Sequence, residues 1–152
     1  MFNKAIVFGS MLACAVAAAP GCSSSASGGE GTGASQMSTS AASVVVKVPS
    51  DLQGKPRQLV LTAFATNPPS GPPAAVLLQE DASAVSAGKS LALQGDAKGL
   101  AGDYYVIAVL FMEGGGTMQA KSSVDYQAAT ATKVTFADKP VDVGTLTLAL
   151  AR

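Results

Sequence analysis

The chain has 152 residues, 48% of them hydrophobic and 13% charged, enough for one compact domain with additional segments at an end. Ten Lys and Arg balance ten Asp and Glu without a basic run, which excludes the positive stripe of a nucleic-acid binder. Histidine and tryptophan are absent and aromatic residues make up only 5%, which rules out imidazole catalysis and imidazole zinc sites and leaves few stacking or anchor residues.

The first 21 residues have the layout of an export signal. Lys4 and the amino terminus supply a short positive start, and Ala5 to Ala19 is an uncharged run of 15 residues. That run is shorter than the roughly 20 helical residues needed to cross a bilayer, so it reads as a leader rather than a membrane span. It closes with Ala19, Pro20, Gly21 and Cys22, followed by Ser23, Ser24 and Ser25. This ending resembles a bacterial lipobox, in which small residues precede a cysteine that is acylated, palmitate being one such chain, and becomes the new amino terminus. The resemblance implies a lipoprotein of the cell envelope, anchored to the membrane through Cys22. Ser23 stands where an aspartate would signal inner-membrane retention, so it also implies an outer-membrane destination. Cys14, after Met11, Leu12 and Ala13, is a second candidate, but its use would leave the greasy segment Ala15 to Ala19 in the product. Cleavage after Ala17 would instead release a soluble periplasmic or secreted protein with a free thiol at Cys22. Removing the leader deletes Lys4, leaving nine basic against ten acidic residues.

Cys14 and Cys22 are the only cysteines, so the folded part has no disulfide, thiolate metal site or cysteine nucleophile. Residues 22–42 are rich in Ser, Gly, Ala and Thr and bury too little apolar area to offset the entropy of ordering them. They are expected to form a flexible tether with a reach of roughly 25 Å.

From residue 43 to 152 the pattern is that of short strands divided by Gly, Pro, Asn and Asp. Val44, Val46 and Val48 share one face of a first strand. In the run Arg57 to Thr66, Leu59, Leu61, Ala63 and Ala65 lie on one side and Val60, Thr62 and Phe64 on the other, so both faces are expected to be partly covered. Asn67 to Pro73 contains four prolines, which lack the donor a ladder requires, and reads as a loop or edge connection. Strands follow at Ala74 to Gln79 and Lys89 to Gln94, with room for a helical turn in Asp81 to Ala87. Asp103 to Met112 is a central strand, with Thr117 to Gln127 expected to return antiparallel beside it. Val134 and Phe136 mark a further strand, and Leu146, Leu148 and Leu150 a last half-buried one. The sum is an all-β domain, a seven- or eight-stranded antiparallel Greek-key β-sandwich.

The stretches Gly54 to Leu61, Leu100 to Ala108, Val124 to Tyr126 and Val141 to Leu148 together resemble the transthyretin-like and carboxypeptidase-regulatory-like β-sandwich modules. That resemblance implies a sandwich fold and an accessory or adhesive role rather than a reaction. Where some relatives carry turn aspartates this chain has Glu113 and three glycines, so no calcium site is carried over and no metal or cofactor is expected.

Ser86 and Lys89 have the serine-to-lysine spacing of penicillin-recognising enzymes, but their companion strings are missing. Gly88, Lys89 and Ser90 end like a phosphate loop whose opening glycine is replaced by Ser83. Glu80 and Asp81 are adjacent and point apart on an extended chain. A carboxylate pair from distant positions, for instance Asp103 with Asp125 at strand ends, is the remaining arrangement for acid-base work or calcium. Tyr104 and Tyr105, which with Tyr126 are the only tyrosines, point to opposite faces of their strand and are the candidate ligand contacts, although core packing with the hydroxyl reaching a loop carbonyl is the favoured role for both. The proline loop could present a stiff binding edge or simply shield the sheet. The chain is therefore expected to be a non-catalytic envelope lipoprotein, an accessory or binding module that meets the membrane through Cys22 and has an envelope protein or polysaccharide as its partner, and not nucleic acid. The alternatives are a carbohydrate- or envelope-polymer-binding domain and a cryptic carboxylate-dependent hydrolase.

Overall fold

The computed structural model describes residues 40–152; the leader, Cys14, Cys22 and the expected tether as far as residue 39 lie outside the described residues. Nine strands follow in chain order: β1 (Ala41–Lys47), β2 (Pro56–Phe64), β3 (Ala75–Asp81), β4 (Ser90–Asp96), β5 (Gly102–Met112), β6 (Tyr126–Ala129), β7 (Val134–Phe136), β8 (Val141–Thr147) and β9 (Ala149–Leu150). The domain is all-β, with no helix among the described residues.

Alternating apolar residues put one face of each main strand inward, as the period of two requires. Val44, Val46 and Val48 are buried as expected, and β1 opens at Ala41, where Ala41 and Ala42 already pair with Asp96 and Gly95. β1 runs antiparallel to β4 and parallel to β8 in a three-stranded sheet ordered β4-β1-β8. The parallel pair departs from the purely antiparallel expectation. Parallel neighbours need a long crossover, and here nearly the whole domain lies between them.

The second sheet has the order β3-β2-β5-β6-β9, and β7 pairs with the first residues of β5. All its pairings are antiparallel. Leu59, Leu61 and Ala63 of β2, Val106, Ala108, Leu110 and Met112 of β5, and Tyr126 of β6 join Val44, Val46 and Leu146 of the smaller sheet in one apolar cluster. The two sheets thus share a core, in which each fully buried Leu or Val contributes roughly 1.5–3 kcal/mol relative to exposure.

The strand count exceeds the expected seven or eight because the last apolar run divides. At Leu148 the chain leaves the smaller sheet, where the Leu148 amide donates to the Lys47 carbonyl at 2.9 Å. It then enters the larger sheet as β9, and the Ala151 amide donates to the Asp125 carbonyl at 2.8 Å. Leu146 and Leu148 are buried, whereas Leu150 is 46% exposed.

Two connections also differ from expectation. The expected helical turn over Asp81 to Ala87 does not form; Asp81 ends β3 and residues 82–88 make turns, in which the Val85 amide donates to the Ala82 carbonyl and Ser83 donates from both its amide and its hydroxyl to Asp81 Oδ1. Those two bonds hold the Asp81 carboxyl below its ordinary value. The return after β5 is a long loop, residues 113–125, and only Tyr126–Ala129 pairs with β5. Within that loop the buried Asp125 side chain accepts the amides of Met112, Gly116 and Lys121, so side-chain rather than strand-to-strand bonds hold the connection.

Where β3 and β4 meet across the two sheets, Gly95 is buried and a Cβ there would lie 2.9 Å from both the Cβ and the carbonyl oxygen of Leu77. The sheets approach each other at this corner because position 95 has no side chain.

Candidate functional site

β2 and β5 are apolar on both faces, and their outward residues build a groove. Along β5 the outward set is Asp103, Tyr105, Ile107, Val109 and Phe111, alternating with the core set. Ile107 and Phe111 are 5% and 2% exposed although neither belongs to the core cluster between the sheets. The outer face of the larger sheet is therefore covered near these residues. The groove there has a volume of about 520 Å³, with the loop after β2 on one side, through Pro69, Gly71 and Pro73, and Thr117 to Ala120 of the 113–125 loop on the other.

Strand register gives the floor its layout. Val60 of β2 is opposite Gln79 of β3 and Val109 of β5, and Val109 is opposite Gln127 of β6. The row Gln79, Val60, Val109, Gln127 thus crosses four strands, roughly 14 Å from end to end at the usual strand spacing. Its two valines are half-buried and its two glutamines exposed. The neighbouring row pairs Val76 with Thr62 and Thr62 with Ile107. Among the described residues, none that lines the groove carries a charge, and four of them are glutamines.

The wall formed by residues 117–120 is held by a buried carboxylate. Asp125 is 0% exposed. Its Oδ1 accepts the Met112 amide at 2.8 Å, and its Oδ2 accepts the amides of Gly116 and Lys121, both at 2.7 Å. Three main-chain donors thus satisfy a charge that would otherwise be costly to bury. Gly115 is required beside it, because a Cβ at that position would overlap the Asp125 carboxyl at 1.8 Å. Lys121 Nζ donates to the Gly114 carbonyl at 3.1 Å, and the Arg57 guanidinium donates to the Gly116 carbonyl.

The residues singled out in the sequence fall elsewhere. Tyr104 faces the core side and meets Phe136 edge-on, with ring centroids 6.2 Å apart, and its hydroxyl donates to the Ala101 carbonyl. Tyr105 lies on the outer face with Lys133 Nζ 5.8 Å from its ring centre. Neither tyrosine lines the groove. Tyr126 is buried, and its hydroxyl accepts the Gln53 amide at 2.9 Å. Asp103 bonds Thr135 at the start of β5, while Asp125 sits beside Met112 at its end, nine residues and roughly 30 Å along the strand. These two carboxylates cannot act on one bond or one ion. Glu80 and Asp81 are exposed neighbours at the end of β3, and Ser86 and Lys89 are exposed in a turn rather than on a helix. Among the described residues, no group of three His, Cys, Asp or Glu side chains could hold a metal ion, and no helix is long and apolar enough to cross a membrane.

The groove's floor is not legible residue by residue in the sequence. The usable signal was the double-sided apolar pattern of β2 and β5, which implies a cover on the outer face without saying what forms it. No family model matches the chain, no curated protein matches it, and no solved structure matches it.

Proposed function

We propose that the protein is a non-catalytic binding module of the cell envelope, carried on lipid at Cys22 and contacting its partner through the uncharged groove on the outer face of the larger sheet. The single observation behind the binding role is that groove: an apolar-floored, amide-rimmed surface without a charged residue among the described residues that line it. Ligand sites are typically concave and mainly apolar with a few polar groups that fix orientation. An enzymatic reading has less support, because the acids are dispersed and the chain has no histidine. For the fold, a Greek-key sandwich of the transthyretin-like kind is supported by two sheets that share one core and by a last strand that passes from one sheet to the other.

The lipid anchor is tested in cells grown with a clickable fatty acid. The wild-type chain should be labelled and sediment with membranes, and Cys22→Ala should lose both label and sedimentation. A single acyl chain gives only marginal binding, at about 0.8 kcal/mol per buried methylene, so stable retention requires the multiply acylated cysteine. An unlabelled wild-type chain in the aqueous fraction would overturn the anchor.

A further inference from the structure

We infer that the groove binds a neutral glycan chain, lying across the strands over the row Gln79, Val60, Val109 and Gln127; this rests on the groove being the binding surface. The proline loop and residues 117–120 bound the groove at the two strand ends, so its open direction crosses the sheet from β3 towards β6. A ligand laid in that direction meets an exposed amide, two apolar side chains and a second exposed amide in succession.

Sugar rings match this order. Their C–H faces are apolar and suit the valine floor, while their equatorial hydroxyls both donate and accept, as a glutamine amide does. Charge decides the glycan class. With no Lys or Arg among the described residues of the lining, an anionic polymer would lose hydration without gaining a counter-ion, so a neutral chain is favoured over an acidic one. An acyl chain fits less well, because it would strip water from the rim amides and give them no partner. A protein partner would be expected to find Trp, Tyr or Arg anchors, and the described residues of the lining include none of these.

The test uses the full acylated chain in detergent micelles, titrated with neutral hexose oligosaccharides, with oligogalacturonate and with palmitate, and followed by amide NMR. The expected result is a saturable shift at Val60, Val109 and Gln127 with at least one neutral oligosaccharide and none with oligogalacturonate. Gln79→Glu combined with Gln127→Glu changes only exposed positions, so the fold should persist while affinity falls about tenfold. Palmitate as the only ligand, a preference for oligogalacturonate, or no saturable shift with any neutral oligosaccharide would overturn the glycan assignment.

A photo-crosslinker at Met118, which is 92% exposed on the groove's wall, separates this failure from that of the binding-module reading. A carbohydrate adduct in intact cells supports both. A lipid or protein adduct overturns the glycan and leaves the groove as a binding surface. The absence of any adduct overturns the groove reading and the glycan with it.

Discussion

Asp125→Ala should lower the stability of the domain by about 3 kcal/mol and its melting temperature by roughly 10 °C. The loss comes from orphaned donors rather than lost packing. The amides of Met112, Gly116 and Lys121 all donate to this carboxylate, and the Met112 bond is fully buried. Each donor left without an acceptor costs about 1–3 kcal/mol, reduced where the loop can open to water. Asp125→Asn should fall between wild type and alanine, since one amide oxygen can still serve some of the donors while its NH2 group faces at least one other. Thermal melts followed by circular dichroism measure both effects. Limited trypsin digestion adds a local readout, because Lys121 is exposed within this loop and should be cut faster once the cradle is gone. A melting temperature for Asp125→Ala within about 2 °C of wild type would show that the cradle contributes little. The same substitution should weaken ligand binding, because residues 117–120 form one wall of the groove.

Gly95→Val should cost about 3 kcal/mol, and Gly95→Ala less, through forced separation of two sheets that now touch. A Cβ at position 95 would meet Leu77 Cβ and its carbonyl oxygen at 2.9 Å. One of those atoms is main chain, which cannot rotate away as a side-chain tip can. Ala92→Val on the same strand is the control: Ala92 is exposed, and valine suits a strand, so its effect should be near zero or slightly stabilising. If Gly95→Val melts with the control, β3 and β4 are not closely apposed in solution.

The amino-acid sequence by itself determined the fold class and most strand positions. The alternation of Val44, Val46 and Val48, of Leu59, Leu61 and Ala63, and of the β5 residues assigns faces directly, because a strand has a period of two. The proline-rich segment 67–73 was legible as a connection for an equally local reason, the missing amide donor. Partner choice was not legible. Nothing in the pattern from Val141 to Leu150 says that the chain changes sheet at Leu148, since a buried leucine looks the same whichever sheet it completes. Nor does it say that β8 lies parallel to β1, a pairing closed across most of the chain.

The candidate site followed the same division. Adjacent Tyr104 and Tyr105 on one strand must face opposite ways, and tertiary packing places Tyr104 against Phe136 and leaves Tyr105 outside the groove. Gln79 and Gln127 are 48 positions apart and unremarkable as letters in the sequence. Only strand register sets them at the two ends of one row, and only the buried Asp125 shapes the loop that walls it. Local periodicity encodes which way a side chain points; which distant side chains become neighbours is settled by the pairing of whole strands and the closure of a shared core.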